Sequence, residues 1–197
     1  MCGFSAILCS DKHKNLDLLI KINNDLIHRG PDSGNIITEN GYALVFRRLS
    51  IIDKSNLSDQ PFIDQSKQYT IMFNGEIYNY KKLKKQLIKE GCLFKSDGDT
   101  EVILQGYMKW GLKIFNLIEG MFTIIIIDKN LKKALVVRDP IGIKPLYMTR
   151  LNPGIAFASE IKPLRRLVGT SVDISALSEL LTFRYASGEK SNYKNIQ

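Results

Sequence analysis

The chain has 197 residues, 44% apolar and 24% charged, with a formal net charge of +8, the profile of one globular domain with a substantial core. No apolar run reaches membrane-spanning length, the longest being Met121 to Ile127 with Thr123 inside it, and the N-terminus lacks the basic-then-apolar pattern of a secretory signal. The charge does not point to nucleic acid. Much of it lies between Tyr80 and Lys89, where Leu83 and Leu87 mark an amphipathic helix with lysines on its wet face, and no interleaved aromatics, zinc ligands or RNA-binding signature accompany it.

The chain starts Met1-Cys2-Gly3-Phe4. Met1 is removable because the next side chain is small, and trimming leaves Cys2 with a thiol and a free α-amine on one residue. A thiol titrates near ~8.5 and an α-amine near ~7.7–8.0, so the amine can take the thiol's proton around neutral pH. That is a nucleophile carrying its own general base. The plainer alternative is that Cys2 opens a buried strand as a small hydrophobe. Three cysteines, Cys2, Cys9 and Cys92, make an odd set without metal-ligand spacing and suggest a reducing cytoplasm.

Gly3 to Cys9 reads as a strand, followed by a helix from about Leu16 to Ile27 with Leu18, Leu19, Ile22, Leu26 and Ile27 on its apolar face. Asn35 to Thr38 and Tyr42 to Phe46 flank Glu39-Asn40-Gly41 as a hairpin. Tyr69 to Phe73 is a strand ending at an Asn74-Gly75 turn. After the lysine helix, Asp99-Thr100-Glu101 caps a helix carrying Val102, Ile103, Leu104, Tyr107 and Met108, which Gly111 closes. Met121 to Ile127 and Ala134 to Val137 are strands, and the run Ile124-Ile125-Ile126-Ile127 predicts burial on both faces. Leu146 to Met148 and Ile155 to Ala158 add two more, with short helices at Ile161 to Leu167 and Ser175 to Leu181. Helices cluster between groups of strands rather than alternating, which predicts an α+β layered architecture. The polar stretch from Tyr185 reads as the start of a linker, with the domain at 1–185 and the linker at 186–197.

An N-terminal cysteine amidase needs oxyanion donors, a cation for a substrate carboxylate and an anion for an ammonium. Asn74 Nδ2 and the Gly75 amide stand side by side, although Asn-Gly is commonly a turn. Arg48 can pair bidentately with a carboxylate. Asp99 can meet an ammonium group, or simply cap its helix. His28 offers a competing Cys–His dyad, but the spacing carries no protease signature and His13 lies in a charged loop.

Seven segments, in order, carry a resemblance: His28-Arg29-Gly30-Pro31-Asp32, Arg48 to Asp53, Asn74-Gly75-Glu76-Ile77-Tyr78-Asn79, Asp99 to Leu104, Gly120-Met121-Phe122, Arg138 to Tyr147 and Ala158 to Lys162. Together with Cys2 they resemble the glutaminase domain of class II glutamine amidotransferases, in the branch of the glutamine-hydrolysing asparagine synthetases, over nearly the whole chain. Phe46 stands where the family often has histidine, and Asp97-Gly98-Asp99 offers two aspartates where the family has one. Asp99 is chosen because it directly precedes Thr100-Glu101-Val102.

The resemblance implies an N-terminal-nucleophile hydrolase fold, a four-layer αββα sandwich of two antiparallel sheets. It implies Cys2 as nucleophile with its α-amine as base, Asn74 and Gly75 as oxyanion hole, Arg48 on the α-carboxylate of L-glutamine and Asp99 on its α-ammonium. Glu76, Leu49, Ile51 and Ile52 would line the glutamine pocket, while His28 to Asp32 and Arg138 to Pro140 would serve as scaffold. Glutamine would pass through a thioester to glutamate and ammonia without metal or cofactor. ATP and Mg are expected only in a synthetase domain, in cis or in trans, whose Ser-Gly-Gly-x-Asp-Ser loop is not in this sequence. The resemblance leaves open a homodimer, another ammonia acceptor such as a sugar or secondary metabolite, and a catalytically silent interaction domain.

Overall fold

A computed structural model describes residues 2–9, 14–185 and 187–197. The expectations for Met1, His13 and Ala186 fall outside the described residues. Among the described residues, nine strands form two antiparallel sheets. The first has the order β2-β3-β1-β9-β8, with β1 Gly3–Leu8, β2 Ser33–Glu39, β3 Tyr42–Arg48, β8 Tyr147–Leu151 and β9 Gly154–Ala158. The second has the order β4-β5-β6-β7, with β4 Phe62–Ile63, β5 Tyr69–Ile77, β6 Gly120–Asp128 and β7 Lys133–Arg138.

Three apolar clusters define the layers. Phe4, Ala6, Leu44 and Phe46 of the first sheet meet Met72, Ile125 and Ile127 of the second. The opposite face of the first sheet, with Ile7, Val45 and Ala158, packs against Leu19 and Ile22 of helix α1 (Leu16–Asp25) and Leu164 of α4 (Ile161–Arg165). The opposite face of the second, with Ile71, Phe73, Ile124 and Ile126, packs against Leu83 and Leu87 of α2 (Tyr80–Lys89) and Val102 and Ile103 of α3 (Asp99–Trp110). The order of layers is therefore αββα. Side chains alternate across a strand, so the isoleucine run feeds two cores at once, which is why it shows no polar alternation. Lys81, Lys82, Lys85 and Lys89 of α2 are exposed, as its apolar spacing predicts, whereas Lys84 is half-buried, with its ammonium over the Phe94 ring and on the Ser96 carbonyl.

Two local expectations are corrected. Asn74-Gly75 is not a turn: β5 runs on to Ile77, with Asn74 opposite Thr123 and Gly75 opposite Phe122. A Cβ on Gly75 would lie 2.2 Å from the Met121 carbonyl oxygen, so glycine is there for close approach of β6. Asp99 is not a helix cap either. Gly98 holds the N-cap position, and Asp99 is the first helical residue.

Beyond helix α5 (Ile174–Phe183) the chain returns to the first sheet. Gln197 exchanges two backbone hydrogen bonds with Met148, at 2.8 and 2.9 Å, and Ile196 is buried beside Leu164 and Leu167.

Candidate active site

Cys2 just before β1, the end of β3 with its following loop, the second half of β5 and the first turn of α3 converge on one cavity of about 360 Å³. Cys2, Arg48, Leu49, Ile51, Ile52, Asn74, Gly75, Glu76 and Asp99, the residues nominated from the sequence, all line it.

The Leu49 amide donates to Cys2 Sγ at 3.5 Å, and the thiol faces the Leu49 carbonyl at 3.7 Å. Arg29 Nε donates to the Cys2 carbonyl at 2.9 Å and Arg29 Nη1 reaches Glu160, fixing the backbone of the nucleophile candidate. Burial pushes the Cys2 thiol up from its ordinary value, and the Leu49 amide and the Arg48 cation offset this only in part. The thiol is thus mostly protonated at neutral pH and needs a base at hand to attack anything.

Asn74 is buried, and its Nδ2 has no hydrogen-bond partner among the described residues. A buried amide donor without a partner is costly, and here it sits in the wall of the cavity that holds Cys2. Gly75 follows it without a side chain to block the approach.

Arg48, at the end of β3, is 6% exposed. Its Nη1 donates to the Ser55 carbonyl at 2.8 Å and to Asp59 at 2.7 Å, and its Nη2 donates to the Asp53 carbonyl. Of five N–H groups, Nε–H and one on Nη2 remain for a ligand. The Asp53 carboxylate orders this loop by accepting from the Ser55 amide at 2.8 Å, Ser58 Oγ at 2.6 Å and the Asp97 amide at 3.1 Å. Burial alone would raise its pKa, but these hydrogen bonds outweigh it and hold Asp53 well below the usual carboxylate range.

Asp99 is 6% exposed and accepts from the Ile77 amide at 3.1 Å. Burial pushes its carboxyl up to about 6, against the lowering by the Ile77, Asp99 and Thr100 amides and with a further push from Glu76. Such a carboxylate gains from a cationic ligand. Asp97 points away: its side chain is 94% exposed and pairs with Lys84 at 2.7 Å.

His28 does not join Cys2. Its Nε2 lies 2.8 Å from Glu160, and its side chain is 60% exposed. The sequence reading missed Asp53, Ser58, Gln60, Phe73, Gly98, Thr100, Met121, Ile143 and Lys144, which complete the lining. Asp53, Thr100, Met121, Ile143 and Lys144 lie within the ordered motifs, whereas Ser58, Gln60, Phe73 and Gly98 lie outside them. Among the described residues, no group of three or more His, Cys, Asp or Glu side chains is placed to hold a metal ion, and no helix is long and apolar enough to cross a membrane.

Two facing antiparallel sheets between helical layers, with a cysteine at the start of the first strand entering the cavity, define the N-terminal-nucleophile hydrolase architecture. The family description "Glutamine amidotransferase domain" matches residues 1–197, and the chain belongs to that family. It is 38% identical over 192 residues to asparagine synthetase [glutamine-hydrolyzing] 1 of Bacillus subtilis (strain 168), covering 94% of this chain and 30% of that protein. To asparagine synthetase [glutamine-hydrolyzing] 2 of Arabidopsis thaliana it is 36% identical over 167 residues, covering 83% and 28%. The chain thus spans less than a third of these curated relatives. A glutamine phosphoribosylpyrophosphate amidotransferase from B. subtilis, solved with ADP and GMP, shares the fold with a TM-score of 0.68 at 17% identity, over 85% of this chain and 43% of that one.

Proposed function

We propose that this domain hydrolyses the side-chain amide of L-glutamine through a thioester on Cys2. With Met1 removed, the Cys2 α-amine accepts the thiol proton, directly or through a water. The thiolate attacks the amide carbon, and the oxyanion is met by Asn74 Nδ2 and the Gly75 amide. The amine returns its proton to the leaving nitrogen and ammonia departs. Water then attacks the γ-glutamyl thioester, releasing glutamate and restoring the thiol. Arg48 holds the substrate carboxylate and Asp99 its ammonium, while Glu76, Leu49, Ile51 and Ile52 wall the pocket.

The observation that carries this reading is the buried Nδ2 of Asn74, without a hydrogen-bond partner among the described residues, on a residue that lines the same cavity as Cys2. Oxyanion donors act on charge that develops only in the transition state, so in the free protein they point at nothing. The step needs no metal or cofactor, because the α-amine moves the proton and fixed N–H dipoles take the charge.

The ammonia is proposed to serve a cytoplasmic, ATP- and Mg-dependent asparagine-synthetase-type domain, the activity named for the relatives that this chain matches over its length. The test is glutamate and ammonia release from glutamine by the chain lacking Met1. The reading expects equal amounts of both products and their loss in Cys2→Ala. Release that survives Cys2→Ala would overturn it.

A further inference from the structure

The cavity is assembled from elements far apart in sequence, and one buried side chain ties two of them together. β4 pairs with β5 only at Phe62–Ile71 and Ile63–Thr70. Two residues further along β5, at Phe73, the edge toward β4 has no backbone partner from that strand. The Gln60 carboxamide takes the place of one. Its Oε1 accepts from the Phe73 amide at 2.6 Å, and its Nε2 donates to the Phe73 carbonyl at 3.1 Å. The pair of bonds to one residue reproduces what an antiparallel neighbour would make. Nε2 also reaches Thr100 Oγ1 at 3.2 Å. Gln60 is 5% exposed and lines the cavity, so these bonds are shielded from water.

The placement of the partners matters more than their number. Phe73 directly precedes Asn74, and Thr100 directly follows Asp99. Among the described residues, the direct hydrogen bond between these two stretches runs from the Ile77 N–H to Asp99, on the far side of Asn74. With Gln60 on one side and Ile77 on the other, the span from Asn74 to Asp99 is fixed at both ends. A glutamine molecule held at its ammonium by Asp99 must present its amide at Asn74 and Cys2. An error of about 1 Å in such a span costs on the order of 10²-fold in rate.

We propose that Gln60 is a positioning residue that sets the distance between the oxyanion donor Asn74 and the ammonium acceptor Asp99. The inference rests on the functional reading given above. It separates two effects. The Phe73 bonds align Asn74 and therefore govern turnover, whereas the Thr100 bond aligns the first turn of α3 and therefore governs substrate capture.

The test uses the full chain lacking Met1 and compares wild type, Gln60→Met and Thr100→Val. Methionine keeps the length of glutamine without its hydrogen bonds, and valine keeps the shape of threonine. Glutaminase kcat and KM are measured alongside the rate at which iodoacetamide, which uses neither Asn74 nor Asp99, alkylates Cys2. Gln60→Met, which loses the Phe73 bonds and the Thr100 bond together, is expected to lower kcat at least tenfold and to raise KM several-fold, with the alkylation rate within twofold of wild type. Thr100→Val is expected to raise KM several-fold with a smaller effect on kcat. Gln60→Met with wild-type kcat and KM, or with alkylation falling in parallel with kcat, would overturn the inference, the latter showing general disruption instead of misalignment. If Gln60→Met does not fold, Thr100→Val decides the point: an unchanged KM overturns the inference. Wild-type turnover that does not depend on Cys2 would bring down the functional reading itself, a different result from either.

Discussion

The Leu49 amide hydrogen bonds to Cys2 Sγ at 3.5 Å, tying the residue before the first strand to the loop that follows Arg48. This contact favours the thiolate, yet burial dominates and leaves the thiol above its ordinary value. The consequence is a nucleophile that is quiet without its base. Alkylation of Cys2 by neutral iodoacetamide in the chain that retains Met1 is expected to climb with pH through and beyond 9, because only the thiolate reacts. A plateau already reached below pH 8, followed by peptide mapping of the modified cysteine, would contradict it.

Removing the Asn74 carboxamide separates turnover from stability. Its Nδ2 has no hydrogen-bond partner among the described residues, so Asn74→Ala is expected to lower kcat by about 10²–10³ while thermal unfolding shifts little. A large fall in melting temperature with modest loss of kcat would assign Asn74 to the scaffold.

Asp99 gives opposite signs for binding and folding. Its folded pKa of about 6 lies above the ordinary 3.8. Between those values the folded state holds more protons than the unfolded state, so stability falls as pH rises through this window and is flat above it. Asp99→Asn is therefore expected to stabilise the fold at pH 7.5, by up to about 3 kcal/mol, with the gain gone near pH 4. The same substitution is expected to raise KM for glutamine strongly. In wild type, kcat/KM is expected to fall below about pH 6 as Asp99 protonates, and the part of this acid limb due to Asp99 is expected to vanish in the asparagine variant. Thermal melts and kcat/KM profiles over pH 4–8 check both halves.

Gly75→Ala tests the strand assignment. The added Cβ would meet the Met121 carbonyl at 2.2 Å, so β5 and β6 must part. The expected cost is about 2–3 kcal/mol, read by chemical denaturation. A near-neutral substitution would restore the turn reading.

The layered fold was legible because its signals are local. Leu83 and Leu87 face the core of α2, Gly111 ends α3, and four consecutive isoleucines required cover on both sides. The two local misreadings, Asn74-Gly75 as a turn and Asp99 as a cap, share a cause. Turn and capping preferences describe a residue against its chain neighbours, whereas Gly75 is there for Met121 and Asp99 turns to Ile77. Gln60 shows the limit most clearly. Its partners lie 13 and 40 residues away, and nothing in the sequence near a lone glutamine before proline marks it. The nominated residues came from ordered motifs, and the cavity shows that they share one wall-to-wall space.

The most direct measurement is intact-mass and peptide-level mass spectrometry of the mature chain after treatment with diazo-oxo-norleucine, a glutamine-like electrophile. The account predicts a mass lacking Met1, a single adduct on Cys2, protection by excess glutamine, and no adduct in Cys2→Ala. Retained Met1 with an adduct still forming on Cys2, or labelling at Cys9 or Cys92 instead, would contradict it.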